Sequence, residues 1–176
     1  MLNRFFIEEH VKNALQEDIG FGDITTDYLT TEEDMMSCVL NSRVDGIFCG
    51  KEVFETVFKI LSPKVNVKFY VNDGDEIKKS EKLADIEGPA RYILMGERTA
   101  LNYIQRMSGI ATETNKYQKA IGEYHAKIVD TRKTTPGFRA FEKYSVKTGG
   151  GSLHRFNLAD CAMIKDNHIK FSGSLT

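Results

Sequence analysis

Two short apolar runs in the second half of the chain, each ending abruptly in polar residues, constrain the fold more than any other feature. The first run, AKIVD, covers residues 126–130, and the second, LADCAMI, covers residues 158–164. Between them lies a helical pattern, FRAFEKYSVKT, which is followed by three glycines at 149–151. A strand, a helix and a second strand at this separation are typical of a βαβ unit. We therefore predict an α/β protein whose second part is a parallel sheet or barrel.

The first half of the chain has the pattern of a separate unit that mixes helices and strands. Apolar residues at helical spacing predict helices over residues 6–19, 51–62 and 89–121. Alternating segments within residues 35–50 and 65–88 predict strands.

We expect two local features beside these elements. The segment 20–34 is polar and is predicted to be a turn region, and Gly20 is predicted to end the first helix. Ser108 and Gly109 are expected to break the long helix, whose apolar stripe is predicted to include Leu94. We place the domain boundary at this break, which gives domains 1–108 and 109–176.

Composition excludes several classes of protein. Hydrophobic residues make up 41% of the 176 residues, which is enough for a core and argues against a disordered chain. No apolar run approaches the roughly 20 residues that span a bilayer, and acidic residues near the N-terminus argue against a signal peptide. Three cysteines far apart suit neither a disulfide framework nor a zinc site. We expect a cytoplasmic protein without a membrane segment.

Charge is distributed unevenly along a chain whose formal net charge is −1. Residues 1–80 contain 9 Lys and Arg against 15 Asp and Glu, a net charge of −6. Residues 130–170 contain 8 against 4, a net charge of +4. This asymmetry indicates an anionic partner for the second half. Nucleic acid is disfavoured because the whole chain is not basic and basic residues rarely alternate with aromatic ones.

A group of cationic side chains follows the two apolar runs. In a parallel barrel the carboxyl ends of the strands meet at one mouth, so we expect these side chains to share a cavity. The group consists of Arg132, Lys133, His154, Arg155, Lys165 and His168. So many cations in one pocket favour a small polyanion such as a di-acid, a sugar phosphate or a pyrophosphate. The alternative is an ordinary ion-pair network with Asp130, Asp160 and Asp166.

Four blocks of sequence resemble the quinolinate phosphoribosyltransferases, also called carboxylating nicotinate-nucleotide pyrophosphorylases. The blocks are ALQEDIGFGDITT (14–26), GERTALNYIQRMSGIAT (96–112), DTRKTTPGFRAFEKYSVKTGGG (130–151), and HR (154–155) followed by IKDNH (164–168). A related branch found with molybdenum uptake systems varies the DTRKT block, so the intact block favours the quinolinate family.

The resemblance implies a two-domain fold and a reaction. It implies an N-terminal α/β sandwich over 1–108, with the long helix that carries Arg98, followed by the first part of an incomplete seven-stranded α/β barrel over 109–176. The family transfers phosphoribosyl from phosphoribosyl pyrophosphate to quinolinate, releasing CO2 and pyrophosphate and forming nicotinate mononucleotide for NAD biosynthesis. Mg2+ assists, and its acidic ligands are expected beyond residue 176. The family's homodimer places one N-terminal domain over the partner's barrel mouth.

The resemblance also implies roles for individual residues. The predicted substrate-binding residues are Arg98, Thr131, Arg132, Lys133, His154, Arg155 and Lys165, of which Lys133 and Lys165 are also predicted to be catalytic. By local pattern Arg98 would pair with Glu97, but the resemblance implies that it reaches the partner's site. Leu153, directly before the His154–Arg155 pair, stands where many members of the family have asparagine. This difference affects only the expected contact of residue 153 itself.

Two alternatives to the full reaction remain. The chain could be an inactive, polyanion-binding fragment of such an enzyme, since the family's later barrel strands lie beyond it. It could also be a phosphoribosyltransferase of the same fold that acts on another aromatic acid.

Overall fold

The computed structural model describes residues 2–173, in which strands interspersed with helices are followed by three more helices. The helices are α1 (Arg4–Ile19), α2 (Ile24–Leu29), α3 (Lys51–Leu61), α4 (Ala90–Ile121), α5 (Arg139–Thr148) and α6 (Asp166–Ser172). The strands are β1 (Met35–Asn41), β2 (Gly46–Ile47), β3 (Asn66–Phe69), β4 (Glu76–Ile77) and β5 (Lys82–Pro89). The predicted α/β class is confirmed.

The strands form two antiparallel sheets. In the larger sheet β5 lies between β1 and β3, and in the smaller one β2 pairs with β4. The turn at Asn72–Gly74 therefore joins strands of different sheets. Helices α3 and α4 pack against each other and against the larger sheet, and α1 packs on both helices. The core of the first half lies between these helices and the larger sheet.

Helix α1 agrees with its prediction. Ile7, Val11 and Leu15 recur one turn apart and are buried, so the apolar stripe faces the core. Asn3 caps the first turn, and Gly20 ends the helix with a φ of 56°, a left-handed conformation that glycine adopts without strain.

Helix α2 lies in the segment predicted to be a polar turn region, so that prediction is wrong. Asp23 caps the helix by accepting hydrogen bonds from the backbone N–H of Thr26 at 3.0 Å and from its hydroxyl at 2.5 Å. These hydrogen bonds also lower the pKa of the Asp23 carboxyl. The helix is short and Thr26 is its one buried residue, so a capping residue rather than an apolar stripe defines it.

Helix α4 is continuous, so the predicted break at Ser108 and Gly109 is wrong. Pro89 precedes its first turn, as predicted, and the helix runs unbroken for 32 residues. The flanking Met107 and Ala111 are fully buried, and their packing outweighs the roughly 1 kcal/mol that a glycine costs inside a helix. Leu94 was predicted to face the core but lies 40% exposed. Within residues 2–173 no helix, α4 included, is both long and apolar enough to cross a membrane.

The two predicted strands of the second half are only partly formed. Residues 126–130 contribute a single parallel bridge, between Val129 and Ser152, with hydrogen bonds on either side of it. Residues 158–164 form no strand and are exposed, because no described strand lies beside them to accept their hydrogen bonds. The partner of the first run is therefore Ser152, directly after the three glycines.

The C-terminal end of helix α5 packs closely against α4. A Cβ atom added to Gly149 would lie 2.3 Å from the carbonyl oxygen of Ala111, far inside van der Waals contact. The glycines therefore do more than stop the helix, since they allow the turn to touch α4.

We expect Gly149→Ala to lower the free energy of unfolding by about 1–3 kcal/mol, because the added methyl must separate α5 from α4. The matched control is Gly109→Ala on the exposed side of α4, where an added Cβ meets nothing within 4 Å. That change should raise the free energy of unfolding by about 0.5–1 kcal/mol. Urea denaturation measures both, and a shift of the two variants in the same direction would contradict the close packing.

Candidate functional site

A small cavity lies where the loop after Val129 faces α4 and α5. Its volume is about 200 Å³, and Thr131 and Lys133 of the loop line it, together with Arg106 of α4. The loop begins where the first apolar run ends, as predicted, and Arg132 of the same loop is not part of the lining. Two predicted substrate-binding residues are thus at one cavity.

A buried ion pair forms the base of the site. The Lys143 ammonium lies 2.5 Å from Oδ1 of Asp130, and each side chain is only 4% exposed. The same Oδ1 accepts a hydrogen bond from the backbone N–H of His154 at 2.7 Å, and Lys143 donates to the His154 carbonyl at 3.1 Å. Oδ2 of Asp130 is buried without a hydrogen-bond partner among residues 2–173. Asp130 therefore pairs with a lysine of α5 and not with the predicted cations.

Three of the predicted cations, Arg132, Lys133 and Arg155, have no acidic partner in the described part of the chain. Lys133 is exposed, and Arg132 is half-buried with its Nε lacking a hydrogen-bond partner. Arg155 is half-buried and donates to the carbonyl of Cys161 at 3.0 Å. Because these guanidinium and ammonium groups are not neutralised by Asp130, Asp160 or Asp166, the ion-pair alternative is wrong.

His154 is exposed and held in one orientation. Its Nδ1 accepts a hydrogen bond from the backbone N–H of Arg155 at 2.7 Å. The neutral ring must therefore carry its proton on Nε2, which leaves that nitrogen free to donate to an anion.

Of the predicted substrate-binding residues, Thr131 and Lys133 line this cavity, and the other five lie outside its lining: Arg98, Arg132, His154, Arg155 and Lys165. Lys165 is exposed at the start of α6, where its backbone N–H donates to Nδ1 of His168 at 3.0 Å. Arg98 is exposed on α4, and no ion pair joins it to Glu97 or to another described residue. Side chains one position apart on a helix point in different directions, which is why the Glu97 pair does not form.

A second ion pair, which sequence reasoning missed, holds the loop against α4. Glu142 of α5 accepts hydrogen bonds from Arg106 and from the Thr135 hydroxyl, both at 2.8 Å. Burial of Glu142 acts to raise the pKa of its carboxyl, but these hydrogen bonds outweigh it and hold the pKa below the usual value. No sequence signal identified this contact, because its partners lie 36 and 7 positions away.

A larger cleft of about 550 Å³ separates α1 from the loop at residues 135–138. His10 of α1 lies in it, with Nδ1 2.5 Å from the hydroxyl of Tyr103. Burial lowers the pKa of His10, although a hydrogen bond to the Gly137 backbone opposes the change. His10 is therefore a candidate pH-sensitive group that sequence patterns did not indicate.

We expect the free energy of unfolding to fall as the pH drops below about 6.5, the usual histidine pKa. With its pKa lowered by folding, His10 binds fewer protons in the folded chain than in the unfolded one, so acid favours unfolding until His10 is charged in both states. Denaturation at pH 8 and pH 5.5 measures the difference. His10→Gln should reduce it and the control His125→Gln should not; equal slopes in all three proteins would contradict this role.

The described residues do not supply a site for the predicted Mg2+. Residues 2–173 contain no group of three or more His, Cys, Asp or Glu side chains that could hold a metal ion. The metal stays a prediction, and no step below depends on it.

Comparison with known proteins gives the same family for both halves of the chain. Residues 23–108 match the family model "Quinolinate phosphoribosyl transferase, N-terminal domain", and residues 110–176 match the model of the C-terminal domain. A probable nicotinate-nucleotide pyrophosphorylase [carboxylating] from Bacillus subtilis is 43% identical over 175 residues, which cover 99% of this chain and 57% of that protein. Quinolinate phosphoribosyltransferase [decarboxylating] 2b from Nicotiana tabacum is 43% identical over 171 residues, which cover 96% of this chain and 48% of that protein.

Solved structures agree with these matches. The crystal structure of NadC from Streptococcus pyogenes superimposes with a TM-score of 0.94 at 40% identity, and covers 99% of this chain and 62% of that one. The chain thus spans between about half and three fifths of the length of the relatives named here. Because the two domain matches are adjacent and in order, and nearly the whole chain superimposes on NadC, the chain belongs to the quinolinate phosphoribosyltransferase family.

Proposed function

We propose that this chain is part of an enzyme, a glycosyltransferase of the pentosyltransferase type, that transfers phosphoribosyl from phosphoribosyl pyrophosphate to quinolinate. The products are nicotinate mononucleotide, CO2 and pyrophosphate, as in NAD biosynthesis in the cytoplasm. The observation that carries the proposal is that cations at and after the loop 131–133 have no acidic partner among residues 2–173, and that Lys133 of this group lines the 200 Å³ cavity.

The chemistry of these residues suits a dicarboxylate. Quinolinate carries two carboxylates on adjacent ring carbons, and a guanidinium fork binds one carboxylate with two parallel hydrogen bonds. Arg132 and Arg155 are the candidates for this contact, with Nε2 of His154 and the Thr131 hydroxyl as further donors. Two held carboxylates fix the ring in its plane, which aims the ring nitrogen at the ribose carbon.

Lys133 and Lys165 are the proposed catalytic residues. Negative charge builds on pyrophosphate as it leaves the ribose, and a positioned ammonium group stabilises that charge. Mg2+ bound with phosphoribosyl pyrophosphate would supply further positive charge there. Once the ring nitrogen bonds to ribose it becomes cationic and withdraws electrons, so the adjacent carboxylate leaves as CO2 and the electron pair left on the ring carbon takes up a proton from solvent.

Turnover tests the proposal and separates its alternatives. The 176-residue chain and the longest protein that contains it are each incubated with quinolinate, phosphoribosyl pyrophosphate and Mg2+, and nicotinate mononucleotide is measured. We expect product from the longer protein. Product from neither protein, while quinolinate still binds, would favour the inactive anion-binding fragment. Turnover of another aromatic acid in place of quinolinate would favour the alternative substrate.

Arg98 is the proposed contribution of one subunit to its partner's site in a homodimer. Its side chain is exposed on α4, has no ion-pair partner among residues 2–173 and lies outside the lining of its own chain's cavity, which suits a contact with another chain. An inactive Arg98→Ala protein mixed with an inactive Lys133→Ala protein should recover activity, because a hybrid dimer contains one intact site. Mixtures that recover no activity would contradict the cross-subunit role.

A further inference from the structure

We propose that the buried Asp130–Lys143 pair is a positioning pair that fixes the orientation of His154 and Arg155 for binding the anion. The two residues act through the His154 backbone and need not touch substrate. This inference rests on the proposed function only in naming quinolinate as the anion.

The pair holds both peptide groups that flank the Cα atom of His154. The N–H that donates to Asp130 at 2.7 Å belongs to the peptide group before this atom, and the carbonyl that accepts from Lys143 at 3.1 Å belongs to the one after it. Fixing both peptide planes fixes φ and ψ of His154, and these angles set the direction of its side chain.

The orientation then passes to the ring and to the next residue. Nδ1 of His154 accepts the hydrogen bond from the Arg155 N–H at 2.7 Å, so ring and backbone are locked together. The Arg155 guanidinium in turn donates to the carbonyl of Cys161 at 3.0 Å. A displaced His154 backbone would therefore turn both candidate anion-binding side chains at once.

Regular secondary structure does not order this part of the chain, and the other tether to α5 is Arg139, which donates to the carbonyl of Phe156 at 3.2 Å. The segment that follows Ser152 has no regular secondary structure before α6, and most of its residues are exposed. Lys143, by contrast, lies on a helix between the fully buried Phe141 and Ser145, which anchor it on the core. The ion pair thus connects a rigid element to an irregular segment that carries predicted site residues.

Stability alone is a weak reason for such a pair. Removing two charges from water is costly, and replacing a buried ion pair by apolar residues of similar size is often neutral or stabilising. Replacing Asp130 and Lys143 by apolar residues would remove the two hydrogen bonds to the His154 backbone. Positioning and stability can therefore be separated by experiment.

The deciding variant is the double substitution Asp130→Leu with Lys143→Met, which removes both charges and keeps apolar volume in the site. We expect it to fold, with a thermal midpoint near that of the wild type, and to bind quinolinate about 100-fold more weakly. The His154 amide should exchange its hydrogen about 10-fold faster than in the wild type. Lys59→Met, which removes a lysine from a surface pair with Glu55, is the control and should change neither measurement.

Each outcome decides the matter. A folded double variant that binds quinolinate as the wild type does would overturn the inference, and so would a wild-type His154 amide that exchanges as fast as an exposed one. If the double variant fails to fold, Lys143→Met alone, which removes the donor to the His154 carbonyl, replaces it under the same criteria. If the wild type does not bind quinolinate, the proposed function fails. The positioning inference is still supported in that case if the His154 amide exchanges its hydrogen slowly in the wild type and faster in the double variant.

Discussion

Lys133→Ala is expected to weaken quinolinate binding about 10- to 150-fold, a loss of about 1.5–3 kcal/mol. Lys133 lines the cavity, is exposed and has no ion-pair partner within residues 2–173, so its full charge is available to an anion. Isothermal titration of quinolinate into both proteins measures the change. In the longer protein the same variant should also slow formation of nicotinate mononucleotide.

The control for this prediction is Lys127→Ala. Lys127 is also exposed and lies just before the bridge at Val129, outside the cavity lining, so the variant removes the same charge from a neighbouring place. Binding that weakens equally in both variants would point to a general effect of net charge. It would contradict a specific site at Lys133.

Phe141→Ala is expected to lower the free energy of unfolding by about 3–5 kcal/mol, a large part of the stability of a small protein. Phe141 is fully buried on α5 and its ring packs 4.7 Å from His10 of α1, 5.5 Å from Tyr103 of α4 and 4.8 Å from Phe138. Removing it leaves a cavity where both halves of the chain meet. Urea denaturation followed by circular dichroism measures the effect.

Phe21→Ala is the matched control, because Phe21 is fully exposed and the same atoms are removed. We expect a change within about 0.5 kcal/mol there. Similar costs for the two variants would show that α5 does not share a core with α1 and α4.

Patterns of apolar residues predicted the elements whose formation depends on a buried stripe. Helices α1, α3, α4 and α5 were found in this way because their apolar residues recur once per turn. Helix α2 depends on the cap at Asp23, and the run 158–164 would need a neighbouring strand; neither condition can be read from periodicity. The break at Gly109 was wrong because packing of the residues around it outweighs the local preference of glycine.

The candidate site was predictable where a side chain follows directly from the end of an apolar run. Thr131 and Lys133 come directly after such a run, and both line the cavity. Lys143 was not found, because lysine within a helix is usually solvated and its burial here depends on Asp130, 13 positions earlier. The roles that the family resemblance implies for all seven predicted site residues stay predictions, and five of them lie outside the cavity lining: Arg98, Arg132, His154, Arg155 and Lys165.

Because α4 is one continuous helix, the directions in which its side chains point are fixed relative to one another along its whole length. An α-helix turns by about 100° and rises about 1.5 Å per residue, so one residue inserted near Gly109 would rotate Arg98 and Arg106 by about 100° relative to Ala111. Arg106 could then no longer reach Glu142 while Ala111 stayed against Gly149. The number of residues in this 32-residue helix therefore fixes the relative orientation of the side chains along it. Insertions and deletions are expected to be tolerated in loops but not in α4.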